Sequence, residues 1–364
     1  MKILCLLTDG IASYGGIAQY NRDLVAGLSR SGGVESVWIL ARQGYAKTPD
    51  EPKVTRYPSV FNRGLFSARA FQLAWKLRPD VVFCGHLHLV PLAAVIARMF
   101  GARLWLQLHG IEAWTHDNRL VRWGAERATL VTAVSRYTRS RFLGWVRLDP
   151  ARVKVLPNTF TPPIAPSLDR SVLRRKHGLE DRKVLITVSR LSRHDRYKGH
   201  ERVLAVLPSL IAQVPALLYL IVGDGDDRAR LEALAHSLGV AERVRFTGRV
   251  DGSALSELYR ASDLFVMPSS KEGFGIVFLE AAAHGLALIA GNGDGSVDAM
   301  ADGVLGALID VARPEALAEA ALAQMRNPSI PDPANLQRFA PSMFYAHLGE
   351  LLGHLDSHVT GRLG

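Results

Sequence analysis

Glu272 and Glu280 stand eight positions apart in Ser269-Ser270-Lys271-Glu272-Gly273-Phe274-Gly275-Ile276-Val277-Phe278-Leu279-Glu280-Ala281. This stretch follows the apolar run Leu264–Met267 and Pro268, so it reads as a strand, a loop and the opening of a helix. Gly273 and Gly275 bare backbone amides where the helix starts, and such amides suit an anion. At ~1.5 Å per residue, eight helical positions put the carboxylates on the order of 12 Å apart. That gap lets one carboxylate reach a sugar and the other a ribose, with a diphosphate between them. Two surface glutamates are the bland alternative, but Glu280 sits amid Phe278, Leu279 and Ala281–Ala283.

A second cluster, Ser189-Arg190-Leu191-Ser192-Arg193-His194-Asp195-Arg196-Tyr197-Lys198-Gly199, opens just after the apolar run Val184–Val188. Arginine offers a planar fork and lysine a point charge, a combination suited to a diphosphate. Upstream, Thr8-Asp9-Gly10 leads into Tyr14-Gly15-Gly16-Ile17, a glycine loop whose helix start also fits a phosphate. A plain strand-to-helix turn explains that loop equally well. His109 ends the run Leu104–Leu108, at the edge where parallel strands present their ligands, and structural and functional readings of it balance.

Three other patterns are decoys. Gly223-Asp224-Gly225-Asp226-Asp227-Arg228 imitates a dinucleotide fingerprint but puts arginine where the third glycine belongs. Its Asp224-x-Asp226 imitates a metal-binding pair, which acidic residues at a helix start explain more simply. His86-x-His88 lacks an evident third ligand, so no metal is assigned and a structural or substrate-contacting role is preferred.

These residues need a scaffold, and the chain supplies one twice. Strand-like runs at Ile3–Leu7, Val37–Ala41, Val81–Cys84, Leu104–Leu108, Leu130–Val134 and Val153–Leu156 alternate with helical patterns at Ile17–Arg30, Ala68–Leu77, Leu89–Phe100 and Arg136–Leu143. After the proline-rich link Pro157–Pro166, strands Val184–Ser189, Leu217–Val222, Val244–Phe246, Leu264–Met267, Ala287–Ile289 and Ala307–Ile309 continue the scheme. Their helices are Arg202–Ala212, Ala229–Leu238, Ala254–Arg260 and Ile276–His284. Apolar strands alternating with amphipathic helices imply parallel sheets covered on both faces. The expected fold is α/β, with two doubly wound domains facing across a cleft. The domains are residues 1–163 and 164–341, and a tail helix, 342–364, closes the second or returns to the first.

Length and composition agree. The chain has 364 residues, 48% of them hydrophobic and 21% charged, which fits a folded two-domain protein and excludes disorder or a fibre. Cys5 and Cys84 lie in strand-like runs and read as buried thiols. The opening Met1–Leu7 is too short for a secretory signal, and Pro208 and Pro215 interrupt the best membrane-span candidate, Val203–Val222. A soluble, cytoplasmic chain is expected. Charge is uneven: residues 1–163 carry 22 Lys and Arg against 10 Asp and Glu, while residues 164–364 carry 22 against 24. A basic half seeks phosphorylated substrates, anionic lipid or nucleic acid. No nucleic-acid-reading motif accompanies it.

Taken together, the Gly15-Gly16 loop, Arg190 to Lys198-Gly199, Leu220–Gly225, Phe246-Thr247-Gly248-Arg249-Val250, Ser262-Asp263 to Pro268 and Glu272-x7-Glu280 resemble the retaining family-4 glycosyltransferases of the GT-B fold. The resemblance implies transfer of a hexose from a UDP- or GDP-sugar, without metal or cofactor, to a glycan or lipid-linked acceptor. It implies that Glu272 contacts donor-sugar hydroxyls, Glu280 the ribose, and Arg190 and Lys198 the diphosphate. Amides of Gly273, Phe274 and Gly275 would bind sugar and phosphate. Arg249 and Val250 would lie against the base, His109 beside the transferred sugar, and Gly15 and Gly16 near the phosphates. The basic insertion Arg193–Tyr197 departs from the family, leaving open whether Arg190, Arg193 or Arg196 holds the diphosphate.

Aromatics interleave with cations at Phe61–Arg78 and Arg136–Arg147, a pattern that rests on anionic lipid or simply faces core and solvent. With the basic first half, it suggests peripheral binding at the inner face of the plasma membrane. Competing functions are a hydrolysing epimerase or phosphorylase of this architecture, a non-catalytic binding protein, and, weakest, a nicotinamide oxidoreductase.

Overall fold

In the computed structural model, residues 1–13, 15–45, 52–115, 118–162 and 168–360 are described, the last four as backbone only. They form two compact units, Met1–Thr159 with the helix Pro341–Thr360, and Phe160–Ala340. The first unit thus ends inside the proline-rich link, four residues before position 163. Residues 163–167 of that link lie outside the described set.

The first unit is built on seven parallel strands: β1 (Lys2–Asp9), β2 (Ser36–Gln43), β3 (Val54–Arg56), β4 (Val81–Cys84), β5 (Arg103–Leu108), β6 (Leu130–Ala133) and β7 (Val153–Val155). Their order is β3-β2-β1-β4-β5-β6-β7, so the winding reverses between β1 and β4. Strands such as β4, buried at all four positions, have apolar residues on both sides because helices cover both faces. The register pairs Cys5 with Phe83 and Leu6 with Cys84, which places the two cysteines on opposite faces of the sheet. Both thiols are buried, and burial pushes each up to about 12.

The second unit has β8 (Lys183–Val188), β9 (Leu217–Val222), β10 (Val244–Gly248), β11 (Leu264–Met267), β12 (Ala287–Gly291) and β13 (Ala307–Ile309), all parallel. Their order is β10-β9-β8-β11-β12-β13, with the reversal between β8 and β11. In such sheets the crevice at the carboxyl ends of the two switch strands is where ligands bind. The basic loop follows β8 and the Glu272 loop follows β11.

The structure adds elements that the hydropathy pattern did not suggest: strand β3 and the helices Arg119–Ala125, Arg170–Lys176 and Pro314–Arg326. The helix read as Ala68–Leu77 begins at Arg63, where Asn62 caps it by accepting from the Leu65 amide at 3.0 Å. The segment considered as a membrane span is a helix, His200–Gln213, followed by β9. Among the described residues, no helix is long and apolar enough to cross a membrane. The tail helix packs in the first unit: Phe344 meets Tyr20 edge-on, and the Arg30 guanidinium lies over the Tyr345 ring at 5.2 Å.

Candidate active site

In the second unit the ends of β8 and β9 are stitched together closely. Ser189 N donates to Val222 O at 3.0 Å, Leu191 N to Asp224 O at 3.0 Å, and Asp227 N to Leu191 O at 2.9 Å. A Cβ on Gly223 would lie 1.9 Å from Ser189 O, and one on Gly225 2.1 Å from Leu191 O. The fingerprint-like glycines therefore serve this backbone contact. The aspartates beside them are also engaged. Asp226 Oδ1 accepts from Arg193 N at 2.9 Å, and Asp227, 4% exposed, binds Arg230 at 2.7 Å and Arg196 at 2.9 Å. Arg230's hydrogen bonds, then Arg196's, hold the Asp227 carboxyl below its usual range. Among the described residues, no group of three or more His, Cys, Asp or Glu is arranged to hold a metal.

The basic loop thus divides by role. Arg193 and Arg196 lean on Asp226 and Asp227, at the β9 side. Arg190 donates to buried Asp195 at 2.7 Å, and Asp195 also accepts from Tyr197 Oη at 3.2 Å. Tyr197 is half-buried, and burial first, then the Glu272 and Asp195 charges, push its hydroxyl up. Lys198 reaches furthest toward β11, where its Nζ meets Glu272 Oε2 at 2.6 Å with side chains 16% and 14% exposed. Two residues 74 positions apart in sequence form the tightest ion pair at the switch point.

The Glu272 loop is fixed from behind by Asp294, a residue the sequence reading passed over. Asp294 is 1% exposed and accepts from Glu272 N at 2.7 Å, Ser269 Oγ at 2.9 Å and Ser296 N at 2.9 Å. Burial pushes its carboxyl up against the pull of those donors. Gly295 N returns a bond to Glu272 O at 2.8 Å. Its setting, Gly291-Asn292-Gly293-Asp294-Gly295-Ser296 after a strand, carries a turn signal that could have marked it. The helix Ile276–Ala283 begins after Gly275, whose φ of +92° needs glycine, and no side chain caps that end. The span from Glu272 to Gly275 is therefore loop, and the 12 Å helical separation of the two glutamates does not apply. Glu272 instead folds back, its Cγ lying 3.2 Å from the Cβ position of Gly275.

Glu280 lies on the helix, largely buried, where Tyr259 Oη donates to Oε2 at 3.2 Å. Burial pushes the Glu280 carboxyl up, opposed by that hydrogen bond. Arg249 is exposed and Val250 half-buried just past β10. Behind the switch point, His200 is buried between Ser189 Oγ (2.7 Å) and Tyr219 Oη (3.2 Å), and burial lowers it to about 4.

In the first unit, Gly15 and Gly16 are exposed at the start of the helix Gly16–Arg30, an end with no side-chain cap. Tyr14 is outside the described residues. His109 follows β5 with its amide donating to Glu112 Oε1 at 2.6 Å and Nε2 3.0 Å from Gly85 O. A carbonyl partner requires the proton on Nε2, leaving Nδ1 as the acceptor. Burial lowers the imidazole to about 4, so it is neutral at pH 7. His86 and His88 rings lie 4.6 Å apart after β4, with His86 6.3 Å from His109. The Arg136–Arg147 segment turns its aromatics inward: Phe142 is fully buried, Trp145 donates to Ala113 O, and Tyr137 packs on Trp114. It offers no lipid-facing aromatic stripe, contrary to one reading of its pattern.

Residues 169–343 match the family model described as glycosyl transferases group 1, and residues 14–161 match glycosyltransferase family 4. A GDP-mannose-dependent alpha-(1-6)-phosphatidylinositol monomannoside mannosyltransferase of Mycolicibacterium smegmatis is 33% identical over 285 residues, covering 74% of this chain and 72% of the relative. The chain belongs to the group 1 glycosyltransferases. This glycosyltransferase is also 30% identical over 321 residues, 81% of each chain, to a GDP-mannose-dependent monoacylated alpha-(1-6)-phosphatidylinositol monomannoside mannosyltransferase of Corynebacterium glutamicum. In structure it is similar to Anabaena HepE in complex with UDP, with a TM-score of 0.79, 24% identity and coverage of 97% and 100%. It is similar too to WaaG, a glycosyltransferase involved in lipopolysaccharide biosynthesis, with a TM-score of 0.69, 21% identity and coverage of 96% and 95%. These likenesses show that the fold is GT-B. The enzyme is a transferase, which sets aside the epimerase, oxidoreductase and non-catalytic readings.

Proposed function

We propose that this glycosyltransferase moves a hexose, with mannose from GDP-mannose as the first candidate, to a glycan or lipid-linked acceptor with retention at the anomeric carbon. The observation that carries the reading is the Lys198–Glu272 pair beside the uncapped helix start at Gly275. It offers a carboxylate for sugar hydroxyls, a cation for phosphate and free amides within one loop cluster. The names of the two mannosyltransferase relatives support GDP-mannose as donor and a phosphatidylinositol-based glycolipid as acceptor.

In the reaction the bond from the anomeric carbon to the phosphate oxygen breaks as the sugar becomes oxocarbenium-like. The acceptor oxygen bonds to the same face, and its proton passes to the departing phosphate oxygen. Negative charge grows on the diphosphate, so Lys198, Arg190 and the amides of Gly273–Gly275 stabilise the transition state more than the ground state. Glu272 holds sugar hydroxyls while keeping Lys198 oriented, and Glu280 accepts from the ribose. All three loop arginines have aspartate partners; Arg190 is taken as the diphosphate ligand because its partner, Asp195, belongs to the same loop, whereas Arg193 and Arg196 are drawn to the β9-side aspartates. Fixed cations supply the charge that a metal would otherwise bring. Arg249 and Val250 flank the base, and Gly15, Gly16 and neutral His109 serve from the first unit.

The membrane side of the reading rests on the helix Arg63–Leu77 and its neighbour Val90–Phe100. Phe61, Leu65, Trp75 and Met99 are 75%, 62%, 66% and 63% exposed, and Arg78 stacks over Trp75 at 4.7 Å. Exposed apolar rings edged by cations suit an anionic lipid surface.

The direct test measures GDP release from GDP-mannose, and UDP release from UDP-hexoses, with and without a phosphatidylinositol glycolipid. Acceptor-dependent release that persists in EDTA is expected. Glu280→Ala should raise donor KM at least tenfold with a smaller effect on kcat. Release that never depends on acceptor, or that EDTA abolishes reversibly, would overturn the proposal.

A further inference from the structure

Glu280 carries its carboxylate on a long stem, and a glutamate gives up more rotamer freedom than most side chains when it is held in one setting. Among the described residues, one side chain meets that carboxylate: Tyr259, whose hydroxyl donates to Oε2 at 3.2 Å. Tyr259 lies 21 positions earlier in sequence, in the helix Gly252–Ala261, and is 1% exposed. Its hydroxyl engages one carboxylate oxygen and leaves the other, Oε1, to a ligand.

Tyr259 is itself clamped. The His284 imidazole stacks on its ring at 5.1 Å and 30°, and Phe265, buried in β11, tilts toward it at 6.2 Å. Both nitrogens of the imidazole are engaged. Nδ1 lies 2.7 Å from Glu280 O, and a carbonyl partner requires the proton there, so Nε2 accepts from Ser256 Oγ at 2.8 Å. Burial keeps the imidazole below its ordinary 6.5, so it is neutral at pH 7, as that arrangement needs. Ser256 and Tyr259 are three positions apart on one helix and therefore neighbours on its surface. His284 stands just past the end of the helix Ile276–Ala283, four positions after Glu280. The imidazole thus braces Ser256 against the backbone of Glu280 itself, with the Tyr259 phenol pressed on its face. Phe278, two positions before Glu280, packs edge-on to Phe265 at 5.4 Å. Every one of these contacts lies within the second unit.

We propose that Tyr259 is a positioning residue for nucleotide recognition: it fixes the Glu280 carboxylate so that Oε1 meets the ribose hydroxyls, while His284 and Ser256 hold the phenol in place. This role rests on the reading that Glu280 takes the ribose. A tyrosine that only filled space would pack as well without its hydroxyl, and its loss would change stability without changing which nucleotides bind. A positioning hydroxyl acts on one feature of the ligand. The ribose is remote from the bond that breaks, so binding lost there is lost equally from ground and transition states, which raises donor KM and spares kcat.

The test compares GDP and UDP with their 2′,3′-dideoxy analogues by calorimetry on the full chain. In the wild type, loss of the ribose hydroxyls should weaken whichever nucleotide binds by about tenfold or more, the scale of hydrogen bonds to a charged group. Glu280→Ala should abolish that difference. In Tyr259→Phe, which keeps the ring and its packing, the ratio should fall to about threefold or less, while affinity for the dideoxy analogue stays within about twofold. Donor KM in the same variant should rise about fivefold with kcat within about twofold of wild type. Ser256→Ala, which frees one end of the imidazole and lies outside the proposed site, should lower the ratio in the same direction, and it decides the matter if Tyr259→Phe does not fold. A folded Tyr259→Phe with the wild-type ratio, or Ser256→Ala with that ratio where Tyr259→Phe does not fold, would overturn the positioning role alone. Equal binding of the parent and dideoxy nucleotides by wild type, an unchanged ratio in Glu280→Ala, or no nucleotide binding at all would bring down the ribose reading, and the positioning role with it.

Discussion

The Lys198–Glu272 pair holds two charges largely out of water, each the main compensation for the other. Removing one partner of such a pair leaves a stranded charge, at a cost of about 3–5 kcal/mol when burial is complete and less here. Lys198→Ala should therefore lower Tm and also cut kcat by about 10²–10³, the range for loss of one transition-state charge donor. Lys198→Met with wild-type turnover would remove the lysine from the site. His200 and His109 give a second expectation. Both fall from an ordinary 6.5 to about 4 on folding, so the unfolded chain binds more protons between those values. Their contribution to stability is whole above pH 6.5 and is lost as pH falls toward 4. Asp23, raised from 3.8 to about 6 by burial, opposes this by favouring the fold as pH falls through 6. Thermal melts across pH 4–7 should show a shallower slope in His200→Gln than in wild type. Residue types announced the glutamates and cations because chemistry restricts them sharply. His200 was not legible, since Ser189 and Tyr219 come from other segments and only folding brings them to it; Asp294 showed only a turn signal, and Asp227 showed nothing of its bond to Arg196.

Loops gain their chemistry here from where the sheet winding reverses. The basic loop and the Glu272 loop lie far apart in sequence but follow the neighbouring strands β8 and β11. Their helix start depends on one backbone angle. In Gly275→Ala, a Cβ at φ +92° would lie 2.6 Å from Phe278 Cδ2, so strain on the order of 1–3 kcal/mol is expected. A lower Tm with weakened nucleotide binding is the expected result, and calorimetry with intact affinity would show that these amides do not touch the donor. Strands were readable because burial on both faces turns them into continuous apolar runs. Strand β3, three residues at a sheet edge, has no such run. The helix Pro314–Arg326 is alanine-rich, so its polar and apolar faces contrast too little to mark it, although Pro314 opens it as a helix start should. The Glu272–Glu280 spacing misled for a related reason: sequence counts positions, and only structure tells which of them are helical.

The charge imbalance of the chain becomes a physical asymmetry once folded, because the basic first 163 residues supply nearly all of one unit. Exposed Phe61, Leu65 and Trp75 lie in that unit among Arg63, Arg69, Lys76 and Arg78. Flotation with vesicles containing phosphatidylinositol should carry the protein upward at low salt, and raised salt should weaken it, since each surface cation contributes about 1 kcal/mol. Trp75→Ala together with Phe61→Ser should weaken flotation at every salt concentration, and salt-independent recovery of wild type in the pellet would count against a lipid surface. Sequence reading located that basic half but not the inward turn of Trp145 and Phe142, because cation–aromatic interleaving looks the same whichever way a helix is rotated.

The return of the tail helix to the first unit also has a kinetic meaning. On the ribosome, the groove that Phe344, Tyr345 and Leu348 will fill exists once Thr159 has been made, yet the filler emerges only after Ala340. At ~5–20 residues per second, that interval is on the order of ten to forty seconds. Throughout it the face of the Gly16–Arg30 helix that the tail covers, Tyr20 and Gly27 included, lacks that cover.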